Sequence, residues 1–239
     1  MNTDRKRAII VGVLFLLGFG GVFSAVFVKP ILDDPNYLIR LAENKNLVMM
    51  GGIFELIMAF ACAAIAIVLY PLLKKRNEAL ALGSVGFRII ENVFQIVAAL
   101  GLLSLLTLSQ KYVKGDALAA SAFQTAGALL LTVRFWAGLR LSQIGFGLGA
   151  LMYYYIFYQS KLIPRWLSGW GFIAIILHLT SVFLTWSSQI DPFSSIPLLL
   201  FSMPIFFQEI VLAVWLIVKG FNPSAIASLS AKTVLNEIK

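Results

Sequence analysis

Ser84-Val85-Gly86-Phe87-Arg88-Ile89-Ile90-Glu91-Asn92-Val93-Phe94-Gln95 lies inside the apolar run Ala79–Leu108. Its polar residues, Ser84, Arg88, Glu91, Asn92 and Gln95, are spaced so that a helix gathers them on one narrow face. Phe87, Ile89, Ile90, Val93 and Phe94 take the other faces. The run is longer than the roughly 20 residues a helix needs to cross a bilayer. Opposite charges in such a run are costly unless the protein supplies partners for them. The stretch therefore reads as one helix of a membrane bundle, with its polar stripe turned toward other helices.

The rest of the chain supports that reading. Of 239 residues, 60% are hydrophobic and 13% charged, whereas soluble domains average roughly 45–50% apolar and about 25% charged. The excess lies in long runs, and no polar segment is long enough for a separate domain. The expected fold class is all-α: a polytopic integral membrane protein, with residues 1–239 forming a single membrane domain. Spans are expected at about 8–28, 47–73, 79–108, 138–159, 167–187 and 195–218, making a six-transmembrane-helix bundle. The first run is longer than the roughly 7–15-residue core of a signal peptide, and Phe23-Ser24-Ala25 matches a cleavage site poorly.

Two short outer helices complete the expectation. Asp33-Asp34-Pro35 reads as an acidic cap with proline in the first turn. Over 34–45, Tyr37, Leu38 and Leu41 then share an apolar face suited to the bilayer surface. The second outer helix, 117–136, needs an argument, because 117–133 is uncharged and competes as a seventh span. Six spans place Arg5, Lys6, Arg7, Lys74, Lys75, Arg76, Lys161, Arg165, Lys219, Lys232 and Lys239 on the cytoplasmic side. Lys29, Arg40, Lys45, Lys111, Lys114, Arg134 and Arg140 then lie outside, eleven cations against seven. Seven spans give eight inside and ten outside, against the positive-inside bias. A seventh span would also need a turn through Arg134–Arg140. Six spans put both termini and the tail 219–239 in the cytoplasm, at the plasma membrane.

The net charge of +8 does not point to nucleic acid, because the cations sit in short loops and form no patch with interleaved aromatics. Cys62 is the lone cysteine, which excludes an intrachain disulfide and a thiolate metal cluster. Neither HExxH, Gly-x-Ser-x-Gly nor a P-loop is present, and there is a single histidine, so no cofactor or metal is assigned. Small residues line three faces that let helices approach closely: Gly51, Gly52, Ala59 and Ala66 beside Glu55; Gly138, Ser142, Gly145 and Gly149; Gly171, Ala174 and Ser181 beside His178. Pro197 and Pro204 are expected to break or bend the last span.

Helix rise places the intramembrane polar groups by depth. At about 1.5 Å per residue, Arg88 lies roughly 12–13 Å from the cytoplasmic end of its span, with Glu91 at about 17 Å, His178 at about 16 Å and Glu209 at about 14 Å. Glu55 lies about 12 Å from the outer end of its own span, near Asn92 and Gln95. Glu55, Arg88, Glu91, Asn92, Gln95, His178 and Glu209 are thus the candidate intramembrane polar site. Three carboxylates there face one arginine. Balance requires a protonated His178, a neutral carboxylate or a bound cation. The structural alternative is an Arg88–Glu91 or Arg88–Glu209 pair that fixes helix register.

Three phrases carry a family resemblance. They are Leu69–Gly83 (LYPLLKKRNEALALG) running on through Gly86-Phe-Arg-Ile-Ile-Glu91; Ser160–Ser168 (SKLIPRWLS); and Gln208-Glu209 with Trp215–Phe221 (WLIVKGF). Over about Ala8 to Phe221 the chain resembles the bacterial multi-pass membrane family catalogued as domain of unknown function 4386. The resemblance implies a polytopic bacterial membrane protein and brings no activity, cofactor or catalytic residue with it. The function expected from the residues is small-molecule or ion handling through the polar layer, as in a permease, exporter or resistance factor. A non-catalytic accessory or sensor subunit is the alternative, and an intramembrane enzyme is a distant third. Expected partners are the lipid bilayer, a small-molecule or ion ligand, and a second copy or another membrane protein.

Overall fold

A computed structural model describes residues 3–115, 120–186 and 196–237, with the side chains of 196–198 and 232–237 left out. Asp116, the outer turn expected at Asp191-Pro192, the side chain of Pro197 and the tail cations Lys232 and Lys239 fall outside that description. Regular structure among the described residues is helical. The helices are α1 (Thr3–Leu17), α2 (Gly20–Leu32), α3 (Tyr37–Glu43), α4 (Lys45–Leu73), α5 (Glu78–Lys114), α6 (Ala120–Trp136), α7 (Ser142–Ser160), α8 (Arg165–Leu184), α9 (Ile196–Val218) and α10 (Pro223–Glu237).

Among the described residues, five stretches are long and apolar enough to cross a membrane: Thr3–Leu32, Lys45–Leu73, Glu78–Lys114, Arg165–Leu184 and Leu199–Val218. A turn at Gly18-Phe19 interrupts the first of these. Over the expected fourth span, 138–159, α7 is not among the five. Gln143, Gln159 and four tyrosines dilute its hydropathy. The reason is visible in its surroundings: Ala150, Tyr153, Tyr154, Ile156 and Phe157 are fully buried, so this helix is solvated by protein. No turn separates α6 from α7. A π-helical segment, Ala137–Leu141, joins them without a loop. The stretch holds no proline, and one extra residue in a helical turn is absorbed as a π-bulge. Helix α9 runs unbroken through Pro204.

The chain packs as two compact units. The first comprises Met1–Leu16, Ala61–Glu91 and Gln143–Lys239. Its core is Val11, Phe15, Leu69, Leu72, Tyr153, Tyr154, Phe157, Ile175, Leu212 and Leu216, with their neighbours. Apolar side chains on its perimeter, such as Ile90, Ile173 and Val214, point away from protein. Close packing holds such helices together, since lipid tails are as apolar as leucine. Helix termini converge at one end of this unit. Arg5 donates to the carbonyls of Leu216, Ile217 and Val218 at the end of α9. Asn222 N–H donates to Leu162 C=O at 2.9 Å, and Lys75 reaches Ser230. Asn77 caps α5 by accepting from Leu80 N–H at 3.0 Å.

The second unit comprises Leu17–Phe60 and Asn92–Ser142. Val28, Ile31, Leu41, Val48, Leu102, Leu105 and Leu106 form its core. Leu38 and Leu41 of α3 are buried there, while Arg40 and Glu43 are exposed. Helix α3 starts later than the acidic cap implies. Asp34 Oδ1 accepts from Asn36 N–H at 2.8 Å, so Asp34 closes a side-chain turn and the helix begins at Tyr37.

Candidate functional site

The stripe on α5 faces protein along its first half. Ser84, Arg88 and Glu91 are buried, whereas Ile89, Ile90 and Val93 are exposed. Glycines on α7 make room for it: a Cβ on Gly145 would lie 2.9 Å from Glu91 N, and one on Gly149 would lie 3.0 Å from Arg88 Cγ. The expected small-residue face of α7 is thus the seat of the charged pair.

In the first unit Arg88 is the hub. Its Nη1 lies 2.9 Å from Glu91 Oε2, in a close ion pair whose geometry is not that of an aligned hydrogen bond. Its Nε donates to Cys62 C=O at 3.2 Å. Its guanidinium lies 5.0 Å from the Phe146 ring centroid, a favourable cation–π placement. Phe146 also meets the His178 ring, edge-to-face at 5.6 Å. His178 Nε2 lies 2.9 Å from Gln143 Oε1, and Nδ1 lies 3.1 Å from Ser202 Oγ. A neutral imidazole donating from Nε2 and accepting at Nδ1 satisfies both contacts. The arrangement is therefore a guanidinium, a phenyl ring and an imidazole in series, with no direct Arg88–His178 bond.

Glu209, on α9, interacts electrostatically with Arg88 and with Tyr153. Its Oε1 is buried without an aligned hydrogen bond, and so is the Tyr153 hydroxyl. The adjacent Tyr154 is satisfied: its hydroxyl donates to Gln208 Oε1 at 2.5 Å, and Gln208 Nε2 donates to Leu167 C=O. Among the described ion pairs Arg88 is paired with Glu91, and Glu209 interacts electrostatically with that pair.

Glu55 belongs to a different cluster, in the second unit. Arg134 holds it with two bonds, Nη2 to Oε1 at 2.5 Å and Nη1 to Oε2 at 2.7 Å. Ser24 Oγ donates to Oε1 at 2.6 Å, and Arg134 Nη1 also reaches Ala98 C=O at 2.8 Å. Gln95 donates to Ser142 Oγ at 3.1 Å, while Asn92 Oδ1 is buried and unpartnered. Arg140, in the π-helical segment, is fully buried with its guanidinium 4.6 Å from the Phe135 centroid.

The structure thus groups Arg88, Glu91 and Glu209, links His178 to them through Phe146, and puts Glu55 with Arg134. Sequence reasoning counted Arg134, in an outer helix, and Arg140 among the cations on the outer side; the structure buries Arg140 and half-buries Arg134 against Glu55. The missed signal is local: Arg134 to Arg140 contains no proline and a single glycine, so helix could continue through it. Tyr153, Gln143 and Ser202 were also missed, because neutral polar residues are ordinary in helices. Among the described residues, no three of His, Cys, Asp or Glu converge as metal ligands.

No curated protein and no solved structure shows a match to the chain. The sequence model of one family, described as "Domain of unknown function (DUF4386)", matches residues 10–220. That match takes in Arg88, Glu91, His178 and Glu209 together with the helices that carry them, and the chain belongs to the DUF4386 family.

Proposed function

We propose that this protein handles a small molecule or an ion across the plasma membrane, with proton or cation uptake at Glu91 and Glu209. One observation carries the reading: Glu209 Oε1 is buried without an aligned hydrogen bond, near enough to the Arg88–Glu91 ion pair to interact with both of its members. A buried carboxylate without its own countercharge takes up a proton, binds a cation or competes for the guanidinium. Intramembrane ionisable groups of this kind mark substrate, ion and proton pathways. Arg88 then either sets the charge state of the carboxylates or binds an anionic group.

The topology that goes with this reading is six crossings in a single membrane domain, with α7 as the fourth and both termini cytoplasmic. Its support is the gathering of Arg5, Lys75 and the α7–α8 and α9–α10 connections at one end of the first unit, together with the positive-inside count. The family's bacterial setting is part of the same reading.

The accessory or sensor alternative draws on the second unit. There Glu55, Arg134 and Ser24 satisfy one another, as charges that only fix packing would. The two readings separate on Glu91→Gln and Glu209→Gln in reconstituted vesicles. Transport or binding lost at unchanged folded yield supports uptake at these carboxylates. Failure to fold, rescued by exchanging the charges of Arg88 and Glu209, would show a structural pair instead.

A further inference from the structure

Lys161, Arg165 and Lys219 line one cavity of about 570 Å³ at the end of the first unit, where α7 ends, α8 begins and α9 ends. Pro164, Trp215 and Asn222 supply further wall. None of the three cations has a carboxylate partner among the described ion pairs. Arg165 is instead steadied on the Tyr158 ring, 5.4 Å from its centroid. The loops that carry the cations are tied together. Asn222 donates through its backbone N–H to Leu162 C=O at 2.9 Å and through Nδ2 to Lys161 C=O at 3.4 Å. Lys161 has φ 57°, and Gly220 has φ 76°. The left-handed region is easy for glycine and costly for lysine, and such strain gathers at binding sites.

The flank of the cavity is apolar. Trp166 is 56% exposed and sits edge-on to Trp215 at 6.3 Å. Beyond the tryptophans, Ile173 on α8 and Val214 on α9 are exposed. The order is cations, then indole rings, then aliphatic wall, which is the order of headgroup, interface and acyl region in a bilayer leaflet.

We infer that this cavity binds the phosphate headgroup of an anionic phospholipid, with the acyl chains lying along the exposed faces of α8 and α9. Three cations without carboxylate partners supply the attraction, and basic pockets between membrane helices recognise anionic headgroups in this way. A free phosphate would use the cations and leave the tryptophan and aliphatic wall without a role. The inference is independent of the carboxylate cluster, since no residue of that cluster lines the cavity.

The test is native mass spectrometry of the full chain released from detergent micelles, with phosphatidylglycerol, phosphatidylethanolamine or inorganic phosphate added. The expected result is one retained phosphatidylglycerol, favoured at least tenfold over phosphatidylethanolamine. Arg165→Gln combined with Lys219→Gln should cut that retention at least fivefold, whereas Arg165→Lys should preserve most of it. Equal retention of the two lipids by the unaltered protein overturns the inference, and this arm holds even if the double variant fails to fold. Unchanged retention in a well-folded double variant also overturns it. Displacement of phosphatidylglycerol by millimolar inorganic phosphate would assign the cavity to a soluble anion and overturn it as well.

Discussion

Arg134 grips both carboxylate oxygens of Glu55, at 2.5 and 2.7 Å, and Ser24 adds a third bond to the same group. The sequence places Arg134 near the end of an outer helix, among the cations on the outer side. In the fold it is the partner of a charge set well inside α4. Removing one member of a buried pair leaves the other uncompensated, at a cost of about 3–5 kcal/mol. Arg134→Gln should therefore lower the melting temperature in detergent sharply. Combining it with Glu55→Gln should recover much of the loss. A single variant that melts like the unaltered protein would remove the pair from the account of stability.

Tyr153 gives the opposite expectation. Its hydroxyl is buried and makes no aligned hydrogen bond, so Tyr153→Phe deletes a poorly satisfied polar group. Folded stability should hold or rise by about 1 kcal/mol. Under the uptake reading, the same variant should alter proton or cation affinity at Glu209. Unchanged affinity in a stable Tyr153→Phe protein would count against a role for the hydroxyl.

Gly145 and Gly149 should respond unequally to added bulk. A Cβ at Gly145 meets the backbone of Glu91, which cannot swing away, while one at Gly149 meets the flexible stem of Arg88. Gly145→Val should cost about 1–3 kcal/mol, the range for overpacking, and Gly149→Ala should cost less. Folded yields by size-exclusion chromatography would rank them, and the reverse order would refute the packing shown for α5 and α7.

Arg5 closes the C-terminus of α9 by donating to three carbonyls. Such a cation satisfies terminal acceptors and complements the helix dipole, an effect of about 0.3–1 kcal/mol. Arg5→Ala should lower the melting temperature modestly, while Arg5→Lys keeps part of the effect. Hydrogen exchange at the amides of residues 219 and 220 should rise in the alanine variant; unchanged protection there would mean that the cap holds nothing in place.

Much of the helical layout could be read in the chain. Long apolar runs leave a helix as the way to satisfy backbone groups in lipid, and the polar stripe on α5 revealed its buried face. Arg88 and Glu91 were legible as a pair because they sit one turn apart on one helix. Pairings between helices were less so. Depth along a helix places a residue at a level and says nothing of its azimuth, so Glu55 shared a level with Asn92 and Gln95 while turning to Arg134. The α6–α7 connection was hidden because hydropathy and charge mark where a chain leaves lipid, and a buried arginine imitates that signal. Helix α7 itself sits below the hydropathy of a self-sufficient span, since a helix surrounded by protein is not selected for contact with lipid.

That last property bears on how the protein is made. Under the six-crossing topology, α7 reaches the membrane with glutamines and tyrosines that give it little drive to leave the insertion machinery for lipid unaided. Part of its burial is supplied by helices translated later, α8 and α9, whose Gly171, His178 and Gln208 receive its Tyr154, Phe146 and Gln143. Integration of α7 is then a cooperative, delayed event. A chain truncated after residue 164 and released into the membrane, lacking α8 and α9, should leave its fourth crossing accessible to water-soluble thiol reagents through a cysteine placed at Tyr155, and the full chain should protect it.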